Sequence, residues 1–236
     1  MNDFFGRREE LEKLNRLKSK RTASLVCIYG RRRIGKSTLI QRFSAGYGQS
    51  FFIQGLAPVK SMTNQDQLNH FRLQYNSFFH QNQESISDWT TALTLLASAT
   101  KRGKWVISLD EISWLGGFDP AFSSKLKDVW DMHFKKNSNL ILFICGSVSS
   151  WIDENILQDI NFEGRISLEM NLHELSLLEL NEFWKPFKGH ISAFEKMKIL
   201  SVTGGVPKYL EEVMTTETAE QNLLQLCFSK EGFLFN

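Results

Sequence analysis

The sequence predicts an α/β protein: a five-stranded parallel sheet covered by helices on both faces, followed by a small helical lid. Three observations lead there. Short apolar runs alternate with helical patterns over about 170 residues, the order that builds a parallel sheet. One run leads through Gly30-Arg-Arg-Arg-Ile-Gly35-Lys36-Ser37 straight into a helical pattern. Another ends in Asp110-Glu111.

In chain order, Leu11, Leu14 and Leu17 share one face and predict a helix over 7–20. The run from Ser24 to Tyr29 predicts the first strand, and Leu39, Ile40 and Phe43 a helix that stops near Gly46. Residues 50–53 read as a second strand. A helix over 63–81 opens with Thr63-x-x-Asp66, a capping-box pattern, and carries Leu68, Phe71, Tyr75 and Phe78/Phe79 as a core stripe. Helices over 88–101 and 122–134 flank the strand 105–109; residues 140–145 and 165–172 supply the fourth and fifth strands. From His173 helical signals take over, with capping-box patterns at Ser176-x-x-Glu179 and Ser192-x-x-Glu195 and a proline-initiated helix at Pro207. This divides the chain into a core, 1–172, and a lid, 173–236.

Composition narrows the class. The 236 residues are 42% hydrophobic and 23% charged, with 19 Phe and 6 Trp, enough for a sizeable core and against overall disorder. No apolar run reaches the ~18 residues of a membrane span, and the start lacks a secretory h-region. Three scattered cysteines fit neither a disulfide framework nor a zinc site. The expectation is a cytoplasmic protein with no membrane contact. The five histidines show no metal spacing and read as structural. The net charge of +2 hides an asymmetry: residues 1–60 carry 13 Lys/Arg against 4 Asp/Glu, residues 61–236 carry 15 against 22. A basic first quarter suggests an anionic ligand.

The glycine-rich loop matches G-x-x-x-x-G-K-[ST]. Its glycines let backbone N–H groups curl toward phosphate, and the helix start adds its dipole. Candidate nucleotide contacts are Gly30, Arg31, Arg32, Arg33, Ile34, Gly35, Lys36, Ser37 and Thr38. Lys36 would reach the β- and γ-phosphates and Ser37 would ligate Mg²⁺. Asp110 supplies the carboxylate for the metal, and Glu111 beside it would orient attacking water. Of the loop arginines, one contacts phosphate while the others face solvent or pair with acids. Ser147, ending the strand between the loop strand and the acidic strand, is either a γ-phosphate contact or a turn serine. Arg165, the only arginine after Arg102, is either a charge-stabilising finger or half of an ion pair. The absence of an [NT]-K-x-D motif argues against GTP, and Asp-Glu favours hydrolysis over transfer to a substrate hydroxyl. ATP with Mg²⁺ is the expected ligand.

Phe5-Gly6-Arg7-x-x-Glu10-Leu11, the phosphate loop, Leu109-Asp-Glu-Ile, Cys145-Gly-Ser147, Gly164-Arg165 and Thr203-Gly-Gly-Val-Pro-Lys-Tyr-Leu210 follow one another in an order that resembles the archaeal-type ATPases. These are relatives of the STAND branch of AAA+ P-loop NTPases. The resemblance covers 4–236. It implies an AAA+-like core with a helical lid, Gly6 and Arg7 near the adenine, Pro207 contributing from the lid, and Ser147 as a sensor. It also implies a winged-helix region and often a nuclease-like domain beyond the ATPase, so the chain is expected to be a truncated or minimal form. Other expected partners are ATP and ADP, a second copy of the chain, and DNA or a protein reached through that C-terminal region. The leading function is an ATP-driven conformational or assembly switch. The alternatives are a nucleotide-regulated DNA-binding module and an ATP-binding switch with negligible turnover of its own.

Overall fold

The computed structural model describes residues 4–147, 150–185 and 191–235. His190 and Asn236, both noted in the sequence, lie outside the described residues.

The chain divides into two compact units. The larger comprises Glu10–Gly30 and Lys36–Asn171; the smaller gathers Met1–Glu9, Arg31–Gly35 and Leu172–Asn236.

Five strands build the parallel sheet: β1 (Ser24–Gly30), β2 (Gln49–Gln54), β3 (Trp105–Asp110), β4 (Leu140–Ser147) and β5 (Ile166–Leu172), in the order β2-β3-β4-β1-β5. The strand β4 lies between β1 and β3, with Leu25 opposite Leu142 and Ile107 opposite Leu142. Both faces are apolar because alternate residues of a strand point opposite ways. Leu25, Cys27, Ile107, Leu142 and Ile144 enter one core with Phe71, Trp89 and Phe122. These three come from α3 (Asn64–Phe79), α4 (Trp89–Ala99) and α6 (Phe122–Met132). Phe143 points to the other face, where Phe43 of α2 (Lys36–Ser44) meets it edge-on with 5.6 Å between centroids. Leu14 and Leu17 of α1 (Arg8–Leu17) are also buried. Cys27 and Cys145 are buried free thiols.

Local signals behave as the sequence suggests in most places. Thr63 caps α3 with a full capping box, and Asp88 caps α4. Four details differ. The helix expected to reach Phe134 stops at Met132, because His133 leaves helical geometry and Phe134–Lys136 form a 3₁₀ turn. Strand β5 begins at Ile166, since the Arg165 N–H is turned back onto the Phe162 carbonyl. A short helix, α5 (Ile112–Gly116), follows Glu111 directly, and α7 (Ser150–Ile152) follows β4.

The smaller unit packs α8 (Leu177–Trp184), α9 (Ala193–Thr203), α10 (Pro207–Leu210) and α11 (Ala219–Leu223) around Leu180, Phe183, Ile199, Leu210 and Leu226. Ser176 forms the full capping box on α8. Ser192 caps α9 from one side only. The Glu195 carboxylate turns instead to the Ala219 N–H and Lys198, tying α9 to α11. Pro207 occupies the first turn of α10, where its missing N–H costs nothing. Phe5 packs edge-on against Phe183 at 5.4 Å, and Phe233 joins the same cluster.

Candidate functional site

In the larger unit the catalytic candidates converge at the C-terminal ends of β1, β3 and β4. Lys36, only 7% exposed, donates from Nζ to the Gly30 carbonyl at 3.0 Å. The next residue, Ser37, donates from Oγ to Asp110 Oδ2 at 2.5 Å. The other oxygen of Asp110 accepts the Glu111 N–H at 2.9 Å, which fixes the carboxylate plane. Ser147 Oγ lies 3.4 Å from Glu111 Oε1. Glu111 itself has left-handed backbone, φ 47°, at the head of α5. Behind Asp110, burial first and then the carboxylate's charge push the Cys145 thiol well above its ordinary range. A cleft of about 580 Å³ opens beside Ser37 and Asp110, with Gln41, Gln54, His70 and Trp114 on its walls. The sequence assigns none of these last four to the site, Trp114 falling within the acidic-strand motif without a role; α2, β2, α3 and α5 each bring one of them to the cleft.

The donor set suits a hard divalent cation. A hydroxyl and a carboxylate face each other, and no cluster of three or more His, Cys, Asp or Glu that could cage a metal occurs among the described residues. Mg²⁺ is held by one or two protein oxygens with phosphate oxygens and water completing its shell, so Ser37 and Asp110 fit it.

In the smaller unit, residues Arg31–Gly35 of the phosphate loop share a compact unit with Leu172–Asn236. Gly35 has φ +93°, a conformation L side chains rarely adopt, and its side faces Pro207 Cγ, 4.0 Å from where a Cβ would sit. Arg7, 4% exposed and with φ 58°, donates from Nη2 to the carbonyls of Ile34 (3.1 Å) and His173 (2.6 Å). Its backbone N–H donates to Glu179 Oε1 at 2.5 Å. Burial raises the Glu179 pKa, but hydrogen bonds from Arg7 and Ser176 outweigh it and hold the carboxyl below its usual value. Gly6 has φ +67°, and a Cβ there would meet Glu179 Oε1 at 2.8 Å. Arg31 pairs with Glu174 at 3.1 Å. The Arg33 guanidinium lies 4.5 Å from the Phe233 ring centroid and 5.8 Å from that of Tyr209. Arg32 and Thr38 are exposed. Sequence reasoning identified Glu179 as a cap and missed its bond to Arg7; it carried Tyr209 only as part of the Thr203–Leu210 motif, without a role, and missed Phe233, which no motif contains.

Arg165 is not drawn toward these groups. Its Nε and Nη2 both donate to Asp131 Oδ2, at 3.0 and 2.8 Å, and this contact chiefly lowers the Asp131 pKa to about 2. Of the two readings the sequence allowed, the ion pair is the one formed.

A parallel sheet in this order, with a phosphate loop leaving β1 and an acidic pair ending β3, defines a P-loop ATPase with an AAA+-like core. The chain belongs to the family described as an ATPase domain predominantly from Archaea, which matches residues 4–213. It is 26% identical over 211 residues to an uncharacterized protein of Methanocaldococcus jannaschii, covering 89% of this chain and 44% of that protein. The chain thus spans less than half the length of that relative. A 40-residue stretch is 50% identical to an uncharacterized ATP-binding protein of the same organism, covering 17% of this chain and 68% of that one. Among solved structures, the Walker-type ATPase of Pyrococcus abyssi aligns with TM-score 0.63 at 17% identity, over 94% of this chain and 72% of that one. The Aeropyrum pernix ORC2 protein, in its ADPNP–ADP complexes, aligns with TM-score 0.54 at 18% identity, over 77% and 51%. At these identities the two structures speak for the fold.

Proposed function

We propose that this chain binds ATP with Mg²⁺ and hydrolyses it to drive a conformational or assembly switch, as a STAND-like cytoplasmic ATPase. The observation that carries the reading is the Ser37–Asp110 pair: a loop hydroxyl and a strand-end carboxylate, 73 residues apart, aimed at one point. Residues 1–172 act as the core and 173–236 as the lid. Lys36 neutralises phosphate charge, while Ser37 and Asp110 hold the metal. Glu111 accepts a hydrogen bond from water and aims it at phosphorus, steadied by Ser147. When bound, Mg²⁺ offsets charge on the β- and γ-phosphates. Arg7 orders the loop tip through Ile34, and Gly6, Arg7 and Pro207 are the nucleotide contacts that the family resemblance implies. Among the described residues no helix is long and apolar enough to cross a membrane.

The test is a pair of variants. Lys36→Ala is expected to abolish ATP binding; Glu111→Gln is expected to bind ATP normally and release phosphate at least ~100-fold more slowly. Turnover by Glu111→Gln at the wild-type rate would remove Glu111 from the catalytic role.

A second reading, a switch with little turnover on its own, draws support from Arg165, whose guanidinium is engaged by Asp131. Specific activity that rises with protein concentration would favour it, because a second copy or a partner would then be supplying the missing charge.

A further inference from the structure

The sheet has a second end, away from Asp110 and Glu111, built by the loops that precede β1, β3 and β4. The first reads Lys18-Ser-Lys20-Arg21-Thr-Ala23 and the second Thr100-Lys101-Arg102-Gly-Lys104. The third, from His133 to Asn139, adds Lys135 and Lys136. Together these loops hold eight of the chain's 28 Lys/Arg and none of its 26 Asp/Glu, leaving 20 cations against 26 acids elsewhere. All but Lys18 are exposed; Lys18 is half-buried with Nζ 4.7 Å from the Phe43 ring centroid.

Two of the loops are braced against each other. Asn137 Nδ2 donates to the carbonyls of Thr100 (2.8 Å) and Gly103 (3.0 Å), joining the loop before β4 to the loop before β3. Trp105 Nε1 donates to the Arg102 carbonyl at 2.9 Å. Because β3, β4 and β1 are neighbours, and adjacent strands lie about 4.8 Å apart, the three loops follow one another over roughly 10 Å. Local neutralisation is incomplete. Lys135 meets Asp131 at 2.8 Å. The C-terminal ends of α1, α2, α4 and α6 arrive at this edge, each offsetting about half a charge, and the loop before β5, beside β1, adds Asp159 and Glu163; the positive charge is therefore concentrated on the three basic loops.

We propose that this edge docks the phosphate backbone of a nucleic-acid duplex, without regard to base sequence. The charges are spread across three loops rather than converging on a point, which suits an extended polyanion better than a single small anion. Six of the eight are lysines. Lysine is depleted at protein–protein interfaces, whereas Lys and Arg supply the phosphate contacts of nucleic-acid interfaces. The surface is separate from the nucleotide site, so the proposal stands or falls independently of the ATPase reading.

The experiment is a salt titration of binding to a labelled ~25-bp DNA duplex by the full chain, with ATP turnover measured on the same samples to report folding. Wild-type protein is expected to bind at about 50 mM salt with a steeply negative slope of log K against log salt. Reversing one loop (Lys101→Glu, Arg102→Glu, Lys104→Glu) is expected to weaken binding at least tenfold and flatten the slope by about 3. Neutralising the other two (Lys20→Gln, Arg21→Gln, Lys136→Gln) gives the same direction if the first variant fails to fold. Lys60→Glu, an exposed lysine in the segment after β2, is expected to leave binding unchanged. Three results would overturn the proposal: no wild-type binding at 50 mM salt; unchanged affinity and slope in the folded edge variants; or poly-glutamate or anionic vesicles binding as tightly as the duplex with the same sensitivity to those variants.

Discussion

Removing the Arg7 side chain isolates the contribution of one buried guanidinium. Its Nη2 serves two carbonyls, Ile34 in the phosphate loop and His173 at the start of the helical region, and the residue is 4% exposed. A hydrogen bond from a charged donor contributes about 1.5–3 kcal/mol, so Arg7→Ala is expected to cost about 3 kcal/mol. Arg7→Lys keeps the charge but reaches one carbonyl at a time, and recovers about half of that. Urea unfolding followed by far-ultraviolet circular dichroism reads the loss: with a slope of about 3 kcal/mol per M, the midpoint falls by about 1 M. Because Ile34 lies in the loop, KM for ATP should rise alongside. A loss below about 0.5 kcal/mol in Arg7→Ala would refute the reasoning, since that is the range of an inert surface change.

The other expectations are quickly stated. Asp131 is held near pKa 2 against an ordinary 3.8, mainly by the Arg165 hydrogen bond, so its contribution is complete above pH 3.8 and disappears as pH falls through about 2. Discounted for partial exposure this is about 1–2 kcal/mol; acid unfolding of wild type and Asp131→Asn should differ near neutrality and converge toward pH 2. The Arg33–Phe233 contact, at 4.5 Å, is of a kind that contributes about 0.5–1 kcal/mol at exposed sites. Phe233→Ala should raise KM for ATP about two- to fivefold with kcat unchanged, and Phe233→Tyr should restore it; an unchanged KM in the alanine variant would separate Phe233 from the loop.

Strands β1, β3 and β4 were legible because they are buried on both faces and therefore read as unbroken apolar runs. Caps at Thr63 and Ser176 were legible because their chemistry lies within a few residues. What pattern cannot supply is the partner of a charge. Glu195 satisfies Ala219, 24 residues away, rather than its own helix start. Arg165 chooses Asp131, and Arg33 an aromatic pair near the chain's end, because tertiary packing brings those groups within reach. Likewise the cleft beside Ser37 is assembled from Gln41, Gln54, His70 and Trp114, each unremarkable alone.

The backbone of Glu111 carries a consequence of its own. Its φ of 47° falls where glycine and asparagine rest easily and where a longer side chain is disfavoured by about 1 kcal/mol. Selection for stability alone would replace that residue. The turn out of β3 brings its carboxylate within 3.4 Å of Ser147 Oγ. On the proposed reading of Glu111, the position that aims water is also a strained one, so a substitution that relaxes this turn is expected to gain stability and lose hydrolysis together.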